Sequence, residues 1–595
     1  MGMTRRRFVG NVVGAFTTDA GLSWPGSAYP LAESDAQPGE DFYLQLVKAN
    51  DARIPNLIAE SPSARTRQFG VRGVGTSVEA LAAAFCAPES SYFKSDALIS
   101  PLEKASTTLL KAQHPDGTTD SGNLSSPPDT GFVVQTVCKA LTVLRRSDSP
   151  LLAQTKANLE KFILAAGEAL ATGGLHTPNH RWVVSSALAQ TNALFPSAKY
   201  VDRINDWLGE GVYCDADGQF SERSTGIYSR VIDNGLLTLA RLLPRPELLE
   251  PVRRNLEMNI YYTHPDGGIE TVGSRRQDQY MTTASIGVYY LQYRYMAIRD
   301  KNPLFAAVAK MIEQMGETGE VSKGDILISF LEEPLLRQEL PESEPLPSNY
   351  AKVFSNTHLA RIRRGETSAT IYGGSDWPLG VASGLASNPT FFTFRKGKAV
   401  LESVRMSPIC FSEGFFRSKG LRAEGNQYFL EELMEVPYYQ PLPRDKRNPQ
   451  GDYRLTPADD RFWSKMDFPD RPKSNIQRLD QKVTVVENNG VFELEFDISG
   501  HDQVPVTIQL AFRRGGKLEG PTPVPGKENV FFLKEGTGRY SVGDDVIEFG
   551  PGEAEHEYIQ MEGESYLVHN GSLKPDGYCV YITGFTPFQR KLTIR

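Results

Sequence analysis

The sequence predicts a multidomain protein that is helical in its first half and β-rich in its second half. We expect an N-terminal (α/α) toroid, incomplete or of six helix pairs, followed by an antiparallel β-sandwich domain. Three observations support this: apolar residues recur at helical spacing over residues 40–335, similar loops recur about every 50 residues in this half, and short alternating runs fill residues 350–595.

The helical half shows apolar positions at a helical period in six windows: 76–86, 130–144, 151–170, 181–195, 231–243 and 279–297. Four Gly- or Asp-containing loops lie between them: His114–Gly117, Gly173–Gly174, Asp217–Gly218 and His264–Gly267. One antiparallel helix pair with its loops has about this repeat length, and such units stack because one pair cannot bury its apolar face alone. We therefore expect these loops at one rim of the toroid, where binding residues collect.

The second half contains alternating runs at 367–373, 390–395, 482–487, 491–497, 505–513 and 529–533. We expect the toroid at 38–335, a linker at 336–349 and the β-sandwich at 350–595. Residues 435–475 are rich in Pro and poor in periodicity, which predicts a long loop. Residues 506–595 are interpreted either as part of the sandwich or as a separate small β unit.

Residues 1–32 resemble a twin-arginine export signal, with Arg5–Arg7 followed by Phe8 and a mildly apolar stretch. We therefore expect export to the periplasm or the medium; the alternative is a basic, disordered N-terminus. The net charge of −8 and the absence of a basic stripe argue against nucleic acid. No apolar run is long enough to span a membrane. The five cysteines show no CxxC spacing, so no zinc ribbon is indicated.

Three polar segments on the expected rim carry the candidate chemistry. The first, Asn179-His180-Arg181-Trp182, opens a helix; the second carries Glu222, Arg223, Tyr228 and Arg230; the third carries Glu270, Arg275 and Arg276. Together they supply an amide, an imidazole, a phenol, several cations and two carboxylates.

That set fits the cleavage of a uronate polymer by β-elimination. The reaction removes the C5 proton, alpha to a carboxylate, and expels the O4 glycoside. Amide, imidazolium or guanidinium donors must first neutralise the carboxylate. A Tyr or His then takes the proton, and a Tyr needs nearby cations because its hydroxyl is a weak acid. Arg223 and Arg230 flank Tyr228 in the sequence and are the cations we expect there.

This layout resembles the heparinase II/III-like polysaccharide lyases, and more loosely the toroid alginate lyases. Those enzymes carry an Asn-His pair at a helix start and a catalytic Tyr roughly 50 residues later, after a DG…E…S…Y stretch. Asn179-His180 and Tyr228, preceded by Asp217-Gly218, Glu222 and Ser224, match this pattern. The resemblance also implies a catalytic His from the β domain, and His358 is the best match.

The resemblance thus implies Asn179, His180, Tyr228 and His358 as catalytic residues. It leaves Arg181, Trp182, Glu222, Arg223, Arg230, Glu270, Arg275 and Arg276 as candidate substrate-binding residues. Several family members bind a metal through a His-rich segment, but the matching stretch Ser387–Phe392 has no His. We therefore predict no cofactor, since Asp376 and His358 alone form an incomplete ligand set.

Each candidate also has a structural interpretation. Asn179 could cap its helix, Tyr228 and Trp182 could be core residues, and the arginines could form surface ion pairs. Two other functions stay open. One is a glycoside hydrolase on the same toroid, using a carboxylate pair drawn from Asp217, Glu222, Asp233 and Glu270; the other is a carbohydrate-binding protein with an inactive toroid. The expected partner is an acidic, uronate-containing glycan.

Overall fold

The computed structural model describes residues 40–60, 62–315, 323–376, 385–458, 462–563 and 574–595. The predicted export signal lies outside these residues. Among the helices of the described residues, none is both long and apolar enough for a membrane crossing. Contacts divide the chain into two compact units. The helical unit comprises the residues up to Tyr213, Arg230–Leu256 and Gly287–Pro345, and the β unit comprises Cys214–Ser229, Glu257–Ile286 and Leu346–Arg595.

The described residues form twelve α-helices, all before the first β-strand. They are α1 (Glu40–Ala59), α2 (Pro62–Cys86), α3 (Ile99–Ala112), α4 (Pro127–Leu144), α5 (Ala153–Thr172), α6 (Pro178–Leu194), α7 (Ala198–Gly209), α8 (Ser229–Leu242), α9 (Leu249–Tyr262), α10 (Tyr290–Asp300), α11 (Pro303–Gln314) and α12 (Lys323–Glu332). Several begin with a proline after a capping residue. In α4 the Ser126 hydroxyl accepts the Asp129 N–H, and in α11 Asn302 accepts the Phe305 N–H.

The helices of the helical unit alternate between two layers. Helices α2, α4 and α6 pack on one another in succession, while α3, α5 and α7 form a second series. The final helix α12 returns to pack on α1 and α2. Gly235 allows α8 to lie against α6, since a Cβ there would be 2.9 Å from the Trp182 carbonyl oxygen. The predicted (α/α) toroid is confirmed.

Three of the four predicted loops share one turn. In each, a backbone N–H donates to the carbonyl four residues later, across a glycine with positive φ. The closing pairs are His114–Thr118, Asp215–Gln219 and His264–Gly268, around Gly117, Gly218 and Gly267. Only glycine adopts this conformation without steric cost. The Gly173–Gly174 loop is different, because Gly173 ends α5 with φ −74°.

One predicted helix is wrong in part. Residues 279–297 do not form one helix: Gln277–Tyr280 and Ile286–Tyr289 are short 3₁₀ turns, and α10 begins at Tyr290. Gly268 to Ser285 form an irregular segment, in which Ile269 pairs with Thr263 and Gly268 pairs with Ser285. The apolar spacing there reflects burial of a loop rather than of a helix face.

The β unit contains nineteen strands among its described residues. They are β1 (Asn349–Phe354), β2 (Leu359–Arg364), β3 (Thr367–Tyr372), β4 (Phe392–Lys396), β5 (Ala399–Pro408), β6 (Arg422–Glu424), β7 (Gln427–Tyr439), β8 (Thr456–Ala458), β9 (Phe462–Ser464), β10 (Lys473–Asn488), β11 (Val491–Ser499), β12 (Pro505–Phe512), β13 (Lys517–Glu519), β14 (Thr522–Pro523), β15 (Val530–Phe532), β16 (Gly538–Val542), β17 (Asp545–Gly550), β18 (Tyr578–Phe585) and β19 (Phe588–Ile594).

Two large sheets make the predicted sandwich. In the described residues one has the order β1-β2-β3-β4-β5-β12-β18-β15-β14 and the other β13-β16-β17-β19-β11-β10-β7-β6. Pairing is antiparallel except between β15 and β18. Alternate residues of β11 are buried, as its sequence VFELEFDIS predicts. Rings from the two sheets meet in one core, with Phe392 and Phe492 centroids 5.3 Å apart.

The structure differs from two expectations for the β half. Residues 435–475 are not one long loop, because β7 continues to Tyr439, β10 begins at Lys473, and a small hairpin of β8 and β9 lies between them. The strands of 506–595 do not form a separate unit. They belong to both large sheets: β12 pairs with β5, and β19 pairs with β11.

Candidate functional site

Tyr228 lies at the centre of a polar cluster within the β unit. Its hydroxyl accepts a 2.8 Å hydrogen bond from the Gln277 side-chain amide. The Arg276 guanidinium lies over the face of its ring, 4.4 Å from the centroid. Tyr228 itself is 6% exposed. The phenol therefore has a donor at its oxygen and a cation at its ring in a mostly dry environment, where both interactions are strong.

Two carboxylates hold this arrangement together. The Glu222 carboxylate pairs with the Arg276 guanidinium, which fixes the cation beside the ring. Asp278 accepts hydrogen bonds from the Ser224 hydroxyl and the Gly226 N–H, at 2.9 and 3.0 Å. Because the Ser224 hydroxyl also accepts the Tyr228 N–H, Asp278 positions the backbone that carries the phenol. Burial raises the pKa of Asp278 to about 6.

The same loop is joined to the β1–β2 turn. Asp217 accepts the backbone N–H groups of Asn356 and Thr357, and the Arg223 guanidinium donates to the Asn356 carbonyl at 2.7 Å. His358 follows in this turn, where it is exposed and has φ +53°. The structure therefore brings the His358 turn against the segment that leads to Tyr228.

Arg275 forms a two-pronged ion pair with Asp376. Its Nε and Nη2 donate to the two carboxylate oxygens at 2.9 and 3.0 Å. This pairing holds the pKa of Asp376 below its usual range, although burial acts in the opposite direction. Among the described residues, no three His, Cys, Asp or Glu side chains are grouped as metal ligands would be. Both carboxylate oxygens of Asp376 accept hydrogen bonds from the Arg275 guanidinium.

Glu270 lies in a buried network rather than at a binding surface. One carboxylate oxygen accepts the Thr271 and Val272 N–H groups, and the other contacts Thr370. Burial alone would raise the pKa of Glu270, but His264, Arg361 and the Thr370 hydroxyl hold it below its usual range. Burial together with neighbouring arginines lowers the pKa of His264 to about 3.

This network is internal to the β unit. The His264 Nδ1 lies 3.2 Å from the Arg361 guanidinium, and its Nε2 faces Glu270 at 3.7 Å. Arg361 is fully buried. The sequence placed Glu270 among the substrate ligands, and the structure makes it the partner of a buried arginine.

Asn179 and His180 lie in the helical unit, on the first turn of α6. Thr177 is the capping position, Pro178 the first helical residue and Asn179 the second, so the interpretation of Asn179 as the cap is wrong. Asn179 is fully buried and donates to the Thr177 hydroxyl at 3.3 Å. The His180 ring packs edge-on against the His176 ring, with centroids 4.8 Å apart.

The other candidates of the helical unit have the following contacts. Trp182 is 3% exposed and packs on Gly235, so it does not offer a face to a sugar. Arg181 pairs with Glu210 and covers the Trp182 ring. Arg230 belongs to the helical unit, where its carbonyl accepts from Gln292. Within the β unit Arg276 lies over the Tyr228 ring, whereas the sequence had assigned this role to its neighbours in the chain.

Gln277 and Asp278 are the functional candidates that sequence reasoning missed. Both follow Arg276 directly, so they lie in a segment that already contained candidates. Their roles depend on contacts with residues about 50 positions earlier. The available signal was the polar run Arg275-Arg276-Gln277-Asp278 directly before the apolar window 279–297.

The chain was compared with known proteins. No family model matches it, and no curated protein matches it. Among solved structures, heparinase III has a TM-score of 0.51 at 12% identity, with 88% of this chain and 76% of that chain covered. A Paenibacillus xanthan lyase has a TM-score of 0.54 at 10% identity, with 96% of this chain but 58% of that chain covered.

These identities are low, so the likeness concerns the fold. The protein has the fold of the heparinase-like polysaccharide lyases: an α toroid followed in the chain by antiparallel β-sheets. The resemblance inferred from the short motifs is confirmed at this level.

Proposed function

We propose that this protein is a polysaccharide lyase that cleaves a uronic-acid-containing glycan by β-elimination. In this proposal Tyr228 transfers the proton. The Tyr228 base removes the C5 proton, and the C5–H electrons form the C4=C5 double bond as the C4–O4 bond breaks. The leaving O4 takes up a proton supplied by Tyr228 or His358. The products are one fragment whose non-reducing end is an unsaturated uronate and one fragment with a new reducing-end hydroxyl.

The observation that carries this proposal is the pairing of Tyr228 with Gln277 and Arg276. A tyrosine acts as a base only if its negative form is stabilised. The Gln277 amide donates to the phenolic oxygen, and the Arg276 cation lies 4.4 Å from the ring centroid. A tyrosine with only a structural role in a core needs one hydrogen-bond partner for its hydroxyl. It does not need a cation beside its ring, whereas Tyr228 has Arg276, which Glu222 holds in place.

The remaining roles follow from charge and position. The developing charge on the substrate carboxylate needs donors, which is the role predicted from the sequence for Asn179 and His180. That role is a separate prediction for the helical unit and is tested by His180→Ala. Arg223 and Arg276 are the candidate cations of the β unit, and His358 is a candidate proton donor in a turn tied to Arg223.

The contacts of the carboxylates in the β unit make the hydrolase alternative less favoured. A glycoside hydrolase needs one carboxylic acid and one carboxylate facing the scissile bond. Here Glu222 pairs with Arg276, Glu270 lies in the buried network, and Asp217 accepts two backbone N–H groups. Asp233, in the helical unit, is fully buried.

The test is incubation of the full-length protein with a panel of uronate glycans while the ultraviolet absorbance of the C4=C5 bond is followed. A rise with one glycan supports β-elimination and identifies the substrate class. New reducing ends without such absorbance would contradict the proposal and favour the hydrolase.

We further propose that the protein is exported, on the basis of the twin-arginine pattern at Arg5–Arg7. Replacing all three arginines by lysine should leave the protein in the cytoplasmic fraction. Unchanged export of this variant would contradict the proposal.

A further inference from the structure

The β8–β9 hairpin lies outside both large sheets and presents one exposed face. Pro457 and Trp463 are paired across the hairpin. Leu455 and Lys465 directly flank the two strands, each two residues from one member of this pair. Trp463 is 61% exposed, Leu455 is 60% exposed and the Lys465 side chain is 62% exposed. The face therefore combines a wide aromatic surface, two smaller apolar groups and one cation.

The opposite face of the hairpin is anchored. Ala458 is buried, and the Thr456 hydroxyl accepts the Phe468 N–H. The Phe468 ring lies 4.7 Å from the Tyr439 ring at the end of β7. These contacts hold the backbone of the hairpin, so the exposure of Trp463 is a property of an anchored element.

Tryptophan is rarely left this exposed without a ligand or a partner, because its burial is worth more than that of any other side chain. The charge of the stretch of sequence that contains it favours an anionic ligand. Residues 440–478 contain nine Lys or Arg and six Asp or Glu, a local excess of +3 in a chain with net charge −8. Within the described part of the chain, Lys465 pairs with Asp452, whose side chain is 73% exposed. Such a surface pair is weak, so an incoming anion can replace it at little cost.

We propose that the Leu455–Pro457–Trp463–Lys465 face binds a stretch of acidic glycan at a place separate from the Tyr228 cluster. The indole stacks on the apolar face of a sugar ring, and Lys465 meets a carboxylate or sulfate on the same or the next sugar. This inference deepens the proposed function, because it assumes that the protein handles an acidic glycan. It adds a second binding surface that takes no part in bond cleavage.

The test is electrophoresis of the full chain through native gels that contain an acidic glycan. The Tyr228→Phe background is used so that the glycan in the gel stays intact. Gels with alginate, polygalacturonate or chondroitin sulfate are compared with gels that contain neutral dextran. We expect retardation in at least one acidic gel and none with dextran. Trp463→Ala should bind about five- to tenfold more weakly, as expected for loss of one aromatic stack.

Two further variants make the result specific. Lys465→Glu should also weaken binding, and added salt should reduce the difference from the parent. Tyr213→Ala removes a tyrosine of similar exposure, 60%, in the helical unit and should leave retardation unchanged. Each variant is checked for an unchanged thermal unfolding midpoint.

Several outcomes would overturn the proposal: unchanged retardation of Trp463→Ala, equal retardation by dextran, or no retardation of the parent in any acidic gel. A dimer of the parent that Trp463→Ala converts to a monomer would assign the face to self-association instead. The ultraviolet assay of the wild-type protein decides the lyase proposal independently, so a failure of one can be told from a failure of the other.

Discussion

The Arg276 guanidinium lies 4.4 Å above the ring of Tyr228 and is held there by Glu222. The two residues are 48 positions apart in the chain. They belong to the two loop segments, Cys214–Ser229 and Glu257–Ile286, that join the β-sandwich in one compact unit. The cation that contacts the Tyr228 ring therefore comes from the next loop of the repeat, although Arg223 and Arg230 are nearer to Tyr228 in the sequence.

Gln277→Ala removes the amide that donates to the Tyr228 hydroxyl. If that hydrogen bond stabilises the ionised phenol, kcat should fall about 10- to 100-fold with little change in KM. Initial rates of unsaturated-uronate formation measure this. Gln338→Ala, at an exposed position of the helical unit, is the control. A variant with wild-type kcat would contradict this and would limit Gln277 to a role in packing.

Glu270→Gln should destabilise the protein strongly. The change leaves Arg361 fully buried without the carboxylate that faces it at 3.9 Å. Loss of one partner of a buried ion pair costs about 3–5 kcal/mol. Urea unfolding followed by circular dichroism gives the difference. The exposed Glu366→Gln in the β2–β3 turn should change the free energy of unfolding by less than about 0.5 kcal/mol.

Asp278→Asn tests a dependence on pH. Burial raises the pKa of Asp278 from 3.8 to about 6 in the folded protein. The raised pKa means that the neutral carboxyl favours folding at pH below about 4, and this contribution is lost as the pH rises through 6. Between pH 4 and pH 7 the wild type should therefore lose roughly 2 kcal/mol of stability relative to the variant.

The measurement is the free energy of unfolding of both proteins at several pH values. Taking the difference between them removes the titrations that they share. A difference that stays constant over this range would contradict the raised pKa of Asp278.

Gly235→Ala should destabilise the helical unit. The new Cβ would lie 2.9 Å from both the Cβ and the carbonyl oxygen of Trp182. Such overpacking costs about 1–3 kcal/mol. Gly209→Ala is the matched control, because no atom lies within 4 Å of its Cβ at the end of α7. It should be neutral or gain up to about 1 kcal/mol. Equal midpoints of thermal unfolding for the two variants would contradict the close α6–α8 packing.

The sequence was informative where structure is local. The periods of α4, α5 and β11 and the glycine turns at Gly117, Gly218 and Gly267 were readable, because each depends on residues within one or two turns of chain. The irregular segment before α10 was not, since burial of a loop and burial of a helix face produce similar apolar spacing.

The candidate site was predictable in its members but not in its contacts. Tyr228, Glu222 and Arg276 were named from their segments. Two contacts were not predictable: that of Arg276 with Tyr228 and that of Glu270 with Arg361. Both depend on which strands and loops lie next to each other in the fold. The burial of Trp182 was one of two alternatives, because an aromatic residue after a polar helix start has the same pattern whether it faces a cleft or a core.

The central claim is that Tyr228 carries the chemistry, and Tyr228→Phe tests it most directly. The change removes one hydroxyl and keeps the ring under Arg276. The test compares unsaturated-uronate formation by the wild type and the variant on the glycan that the wild type cleaves, together with the thermal unfolding midpoint of each. We predict an unchanged midpoint and a loss of kcat of at least about a thousandfold. A folded variant with near-wild-type turnover would contradict the account.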